Sequence, residues 1–548
     1  MRGYLKIFFV FFLICLLSAC GGGGGGGDPS WVRVEIRSFS FSSSFSGTLV
    51  RFSGSRASTS DNLTIHWEVS TDPPGFSYHM QIYLVPFYAS LNGTEFPSDS
   101  VLLSEVTTSQ GNYTLEITPD DTAYQQLKEA LGGAYYLVLR ASPSGVGEGD
   151  LATSLDNDTF TGTSPYLKLK SRWTVMVYMG GDNSLGTYVD SDLSEMASVG
   201  SSPEVNVVAQ ADTYYGPAKR YFVESGEAVE LEDLGEVDMS RVDTLVNFAR
   251  WVFEHFPADH YLLVLWNHGG GFKARGYSVT RNLLWDDNPD YDSSMSLPRL
   301  ADALSQIRDF LGRPIDLVGM DACLMAMAEV AYEIRGLASY MVGSENFEWV
   351  VGWPYDHILQ ALSENATMGS SELARVIVGR FINYYLNYSS SSLATQSAID
   401  LSLMDIIANA TDVLARELLS VFSSNATLFD HFRNQILAQV QYFDDNNDTF
   451  IDRTIDNYVD LYHLAQLLAN DPGFPSSVRD AASQLMSILD SAIIANANTG
   501  DGVKDAHGLS IWLPHAPDYT SYISLYRALA WSNATAWDDL LDTISPNL

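Results

Sequence analysis

Cysteine is scarce, with three among 548 residues: Cys15, Cys20 and Cys323. The first two lie within and at the end of an N-terminal apolar segment, so Cys323 stands alone in the body of the chain and no disulfide can form inside a folded domain. Basic residues are also few. Thirty Lys and Arg stand against 67 Asp and Glu, a net charge of −37, so no domain-sized stretch can carry the positive field that phosphate backbones require. Nucleic acid is thereby excluded as a partner. Long apolar runs are missing after residue 17, and the one at residues 7–17, preceded by Arg2 and Lys6, is too short to span a bilayer comfortably. Zinc-ligand spacing is absent, because the body offers one Cys and no His pair at helical spacing. Asp444-Asp445-Asn446-Asn447-Asp448 opens like a calcium loop but lacks the glycine at position six and the glutamate at position twelve, so it reads as a polar surface loop.

What is present is a foldable chain, 46% apolar and 12% aromatic, long enough for two or more domains with cores of their own. Residues 1–19 read as a secretory signal. Its end, Leu17-Ser18-Ala19-Cys20, resembles a bacterial lipobox, in which Cys20 is lipidated, and the glycines of residues 21–27 supply a flexible tether over residues 20–30. The expected setting is an exported lipoprotein, anchored at the outer membrane or cell surface through Cys20.

Residues 31–170 alternate apolar and polar positions, as in Leu63-Thr64-Ile65-His66-Trp67-Glu68-Val69, and predict a β-sandwich of about seven strands, Ig-like or fibronectin-like. From residue 171 the texture changes. Apolar runs such as Trp173-Thr174-Val175-Met176-Val177-Tyr178, Tyr261-Leu262-Leu263-Val264-Leu265-Trp266 and Ile315-Asp316-Leu317-Val318-Gly319-Met320 alternate with amphipathic patterns over 184–199, 240–256 and 297–310. Strands apolar on both faces, separated by helices, make an α/β/α sandwich on a mostly parallel sheet, with its core over 171–400. Residues 401–548 are mainly helical and complete that domain; Gly508-Leu509-Ser510-Ile511-Trp512-Leu513-Pro514 reads as one more strand in or near the sheet.

Ligands of open parallel sheets bind beyond the carboxyl ends of the strands. Two such ends carry chemistry here: Trp266 is followed by Asn267-His268-Gly269-Gly270-Gly271, and Met320 by Asp321-Ala322-Cys323-Leu324-Met325. The second stretch is expected to open a buried helix, whose N-terminus would lower the Cys323 pKa, while His268 would take or share the proton. The amides of Gly269 and Cys323 could form an oxyanion hole. Cys323 lies 55 residues after His268, close to the His–Cys interval of about 50 in caspases.

Residues 173–356, with a tail to about 540, resemble the clostripain family of cysteine peptidases, which have a caspase-like fold. The matching stretches are Tyr178-Met179-Gly180-Gly181-Asp182-Asn183, Ala258-Asp259-His260-Tyr261, Trp266-Asn267-His268-Gly269, Asp321-Ala322-Cys323-Leu324-Met325-Ala326, Gly352-Trp353-Pro354-Tyr355-Asp356 and Tyr458-Val459-Asp460-Leu461-Tyr462. The resemblance implies an endopeptidase acting on proteins or peptides, with His268 and Cys323 as its dyad. It further implies an Arg/Lys preference through Asp321, two residues before the nucleophile. The second acid that some relatives carry just before the Gly-Trp motif is Val351 here. Some relatives cut themselves in the loop after the His, where Lys273, Arg275 and Arg281 are the candidate sites; others depend on calcium, for which the sequence assigns no ligand. No cofactor is needed for the chemistry. The alternative function is a surface binding or adhesion lipoprotein with an inactive peptidase-like domain.

Overall fold

The computed structural model describes residues 33–43, 48–50, 63–72, 77–88, 100–117, 122–143, 167–214, 216–273, 283–287, 293–388, 393–445 and 450–548. The signal segment, Cys20, the glycine tether, Arg275 and Arg281 lie outside the described residues. Two units are distinguished, Met1–Ser171 with His255–Pro257, and Arg172–Glu254 with Ala258–Leu548.

In the first unit, strands Arg33–Ser43, Leu63–Asp72 and Asn112–Ile117 form one antiparallel sheet. In a second, Tyr78–Pro86 runs between Val101–Thr108 and Gly133–Pro143. Period two decides which side chains go in. Met80, Ile82 and Leu84 are buried and Gln81 and Tyr83 half-buried. Ile65 and Ile117 of the first sheet share one core with Met80, Ile82, Leu84 and Leu103 of the second. Helix Thr122–Glu129 interrupts the run of strands and was hidden from the alternation.

The second unit is built on a sheet in the order Glu227–Gly235, Gly216–Glu224, Val205–Thr213, Leu167–Gly181, Ala258–Trp266, Ile315–Asp321, Ala338–Gly343, Thr395–Asp400 and Ile493–Asn498. Pairing is parallel between Trp173–Gly181 and Val205–Thr213, between Leu262–Trp266 and Leu317–Asp321, and between residues 315–319 and 338–342. It is antiparallel among the outer strands. Strand Ile315–Asp321 is buried at every position, as a sheet covered on both faces requires. Helices Val189–Val199, Val242–His255 and Leu297–Leu311 pack their apolar stripes on it. The α/β sandwich and mostly parallel sheet expected from the sequence are therefore present.

Two local expectations are corrected and a third is made specific. The helix predicted from residue 184 starts at Val189, because Asn183 turns the chain: its Oδ1 accepts from Leu185 N at 2.9 Å and its carbonyl from Gly186 N at 3.1 Å. The run after Met320 is not a helix. Its first helical residue is Ala328, and helix Ala328–Glu333 has six residues. The intervening backbone bonds sideways instead, Leu324 N to Asn346 O at 3.1 Å, Ala326 N to Ser344 O at 2.8 Å and Ser510 N to Ala326 O at 2.9 Å. A fully apolar run carries no period, so tertiary partners decide its form. Finally, Ser510–Trp512 does not join the large sheet; it pairs with Tyr458–Asp460 beside Tyr442–Phe443 in a separate antiparallel sheet. The sheet strand contributed by residues 401–548 is Ile493–Asn498.

Candidate functional site

Trp266 and Asp321 are register partners on adjacent parallel strands, and Asn267 N donates to Asp321 O at 3.2 Å. His268 and Cys323, each two residues further on, therefore leave the sheet side by side. The backbones touch beyond the strands as well. A Cβ on Gly269 would fall 2.2 Å from Cys323 O and 3.0 Å from Cys323 N, an approach that only glycine permits.

Cys323 is buried, with 9% of its surface exposed. It sits in a turn rather than at a helix start, so the helix-terminus argument for a lowered thiol pKa does not apply. Its sulfur lies between the Glu348 amide, from which it accepts at 3.4 Å, and the Glu348 carbonyl at 3.7 Å. Leu324, next in the chain, has φ +62°, a left-handed conformation that costs a branched residue of order 1 kcal/mol or more. Its amide bond to Asn346 O holds it there.

His268 is half-buried. Its Nε2 lies 2.8 Å from Ser184 Oγ, and its ring meets Trp285 at 5.4 Å between centroids. Asn267 fixes the base of the loop by donating through Nδ2 to Trp285 O at 2.9 Å and to Gly180 O. Asn183 bridges the same two segments, its Nδ2 reaching Gly180 O at 3.0 Å and Trp285 O at 2.8 Å. The Gly180-Gly181-Asp182-Asn183 motif thus positions the His268 loop.

Asp321 is 5% exposed. Tyr355 OH donates to its Oδ2 at 2.8 Å and Trp353 N at 3.3 Å. Burial pushes its pKa up to about 6 against these bonds. Glu348 stands against it and is raised further, by burial and by the Asp321 charge. Its Oε1 accepts from Gln396 Nε2 at 3.2 Å, and its side chain also meets those of Asp321 and Trp353. Two adjacent carboxyls of this kind hold one proton between them and titrate as a pair. A further buried acid, Asp192, accepts from Trp266 Nε1 at 2.6 Å and is pushed up to about 8 by burial and by Asp321.

Lys273 is 8% exposed. Its ammonium bonds Asp445 and, at 3.0 Å, Asp518, and lies 4.8 Å above the Tyr458 ring. Of the stretch expected to be a polar surface loop, Asp444 is buried and the Asp445 side chain is 3% exposed, whereas residues 446–448 lie outside the described residues. His260, by contrast, pairs with Asp316 at 2.9 Å near the start of its strand.

Ser184 and Glu348 were not singled out from sequence. Ser184 directly follows the Asp182-Asn183 motif, and Glu348 lies just ahead of Gly352-Trp353-Pro354-Tyr355. Their sequence signal was adjacency to a motif and nothing more.

The sheet and its flanking helices define a caspase-like fold, and comparisons place it more narrowly. A model of the clostripain family, peptidase C11, matches residues 177–543. Clostripain of Hathewaya histolytica is 25% identical over 435 residues, which is 68% of this chain and 81% of that protein. Among solved structures, a secreted C11 cysteine protease from Bacteroides thetaiotaomicron in complex with an irreversible peptide inhibitor is 22% identical, over 67% of this chain and 99% of that one, at TM-score 0.51. An inactive zymogen of a C11 protease from Parabacteroides distasonis is 22% identical, over 67% of this chain and 98% of that one, at TM-score 0.50. The chain belongs to the clostripain family and is a cysteine endopeptidase, a hydrolase of protein or peptide substrates.

Proposed function

We propose that this chain is an exported, lipid-anchored cysteine endopeptidase that cleaves after Arg or Lys with His268 and Cys323 as its dyad. The observation that carries the reading is the register of Trp266 with Asp321, which delivers a histidine and the only thiol of the body to one place. In this scheme Cys323 attacks the scissile carbonyl as thiolate. His268, anchored through Nε2 by Ser184, exchanges the proton through Nδ1 and returns it to the leaving amine. Gly269 and Cys323 amides hold the oxyanion; water then releases the acyl group with His268 as base.

The Asp321–Glu348 pair supplies the P1 preference. Glu348 sits next to Cys323 and replaces, three residues earlier, the acid missing at Val351. A P1 guanidinium or ammonium would displace the shared proton and meet a doubly charged pair. Self-cleavage after Arg275 or Arg281 is the maturation step that fits best, since the Lys273 side chain is committed to Asp445 and Asp518. Export is supported by the N-terminal segment and by the relative described as secreted. Anchoring at the outer membrane or cell surface rests on the Leu17-Ser18-Ala19-Cys20 motif. Among the described residues no helix is long and apolar enough to cross a membrane.

The test is hydrolysis of matched fluorogenic peptides with Arg, Lys, Asp or Leu at P1, beside a Cys323→Ala control. Cleavage after Arg and Lys that vanishes in the control is expected. Preference for Asp or Leu would overturn the assignment of Asp321 and Glu348, and activity surviving in Cys323→Ala would overturn the dyad.

A further inference from the structure

Large apolar side chains left in water collect at one place beside the reacting thiol. Trp349 is 42% exposed, Val350 48% and Tyr388 50%. Trp349 directly follows Glu348, whose amide and carbonyl lie 3.4 Å and 3.7 Å from Cys323 Sγ. Its ring meets that of Tyr388 edge-on, with 6.4 Å between centroids. Tyr388 closes helix Ser370–Tyr388 and stacks on Tyr384, one helical turn earlier, at 5.7 Å. Both tyrosines line a cavity of about 390 Å³, shared with His357, Arg380, Asn383 and Asn387. An exposed apolar patch that borders a cavity marks a place where another molecule binds.

This aromatic shelf is held in place before anything binds. Gly352 N donates to Trp349 O at 2.8 Å, closing a turn, and Tyr385 OH donates to Gly352 O at 2.8 Å, pinning that turn to helix Ser370–Tyr388. Rings already fixed in this way lose little freedom when they meet a ligand. Gly352 also borders Asp321: a Cβ there would fall 3.1 Å from both oxygens of the Asp321 carboxylate. The same turn therefore has the buried Asp321 on its inner side and the exposed Trp349 and Val350 on its outer side.

Direction along the substrate follows from the dyad. His268 returns its proton to the leaving amine, so the departing half of the substrate lies on the side of strand Ala258–Trp266, which carries the histidine. The acyl half runs the other way across Cys323. Strand Ala338–Gly343 lies on that side, across Ile315–Asp321 from Ala258–Trp266, and residues 347–350 follow it in the chain. The residues just ahead of P1 thus cross Trp349 and Val350.

We propose that Trp349, Val350 and Tyr388 form an acyl-side subsite that takes an aromatic or large aliphatic side chain at P2 or P3. Its place along the substrate rests on His268, Cys323 and the P1 acids having the roles assigned to them; its apolar character rests on the exposed side chains. Substrates are then selected twice, by a cation at P1 and by an apolar residue just ahead of it. An Arg or Lys set among polar residues is passed over.

The experiment uses full-length protein and fluorogenic peptides carrying at P1 whichever of Arg, Lys, Asp or Leu is cut best. An error in the P1 assignment then shows as a different best residue and leaves this comparison intact. P2 and P3 are varied separately through Phe, Leu, Gly and Asp. Phe or Leu at one of the two should raise kcat/KM roughly tenfold or more over Gly. In Trp349→Ser that ratio should fall to about twofold, and in Tyr388→Ser by a smaller factor. A folding defect would lower both peptides together and leave the ratio where it was. Leu386→Ser, at another exposed apolar residue of the same helix, about 200° round the axis from Tyr388, should keep the parental ratio. Calorimetric titration of Cys323→Ala protein with the P1-Arg peptides reads the shelf without turnover, and the Phe form should bind roughly tenfold more tightly than the Gly form. Equal kcat/KM for Phe and Gly at both positions would overturn the subsite, as would equal affinities where no peptide is cut, a gain from Asp instead, or an unchanged ratio in Trp349→Ser.

Discussion

Ser184 Oγ lies 2.8 Å from His268 Nε2, across 84 residues of chain. A serine in the turn after strand Leu167–Gly181 thereby meets the ring that follows strand Ala258–Trp266. Ser184→Ala removes a hydrogen bond of about 1 kcal/mol, so kcat should fall roughly fivefold to tenfold, with KM for the peptide little changed and the pH–rate profile displaced. An unaltered kcat and profile would show that the serine merely neighbours the ring.

Asp321 and Glu348 should determine what is cut. Asp321→Asn should lower kcat/KM on P1-Arg peptides by roughly 30-fold or more, from a loss of about 2–5 kcal/mol at a buried charged contact, and Glu348→Gln by less. Because burial raises both acids, Asp321 to about 6, the pair gains charge as pH rises, and KM for P1-Arg should fall as pH rises through about 6. A P1-citrulline peptide, with no charge to meet, should show no such dependence. Parallel pH curves for the two peptides would contradict this.

Asp192 should make the folded unit less stable as pH rises. Burial and the Asp321 charge push its carboxyl up to about 8, far above the usual carboxylate range, so the folded state keeps a proton that the unfolded chain releases. The contribution of Asp192 to stability is then greatest below about pH 4, falls between about 4 and 8, and is level above that range. Asp192→Asn, which can still accept from Trp266 Nε1, should flatten this slope in chemical denaturation measured at pH 5 and pH 8. An identical slope in the variant would place the effect elsewhere.

Gly269→Ala should be severe. The new methyl would lie 2.2 Å from Cys323 O, so strand ends that carry both reacting residues would have to part. Loss of activity with a lower melting temperature is expected; a variant with parental activity would mean that this backbone contact is dispensable.

Lys273→Met should destabilise the protein by about 3 kcal/mol. Breaking a buried pair costs about 3–5 kcal/mol, and the 37% exposure of Asp518 places the figure at the low end. Asp445 would be left buried beside Tyr458 without its cation. Equal urea midpoints for parent and variant would refute it.

Much of the peptidase fold was legible because buried parallel strands and amphipathic helices carry distinct periods. Val242, Leu245, Phe248, Ala249 and Val252 marked one helix face, and Trp266 and Met320 marked the strand ends where His268 and Cys323 emerge. Residues 322–327 were misread because an all-apolar run has no period, and its hydrogen bonds go to Ser344, Asn346 and Ser510. Asp192 and Glu348 escaped notice for another reason. A carboxylate looks the same in sequence whether solvated or buried, and only the packed structure reveals that Asp192 is buried with Trp266 Nε1 as its donor. Lys273 drew attention as a self-cleavage candidate by its charge and its place after His268, while its partner Asp518 lies 245 residues away.

That distance bears on how the enzyme is made. The glycine-rich stretch after His268 is clasped by Tyr458, whose hydroxyl donates to Gly270 O at 2.7 Å, and by Asp518 through Lys273. A chain emerging from its N-terminus presents His268 and Cys323 long before either clasp has been synthesised. The contacts that hold the far side of this stretch are therefore the last to be made in a growing chain, long after those of Asn183, Ser184 and Asn267 with the His268 loop.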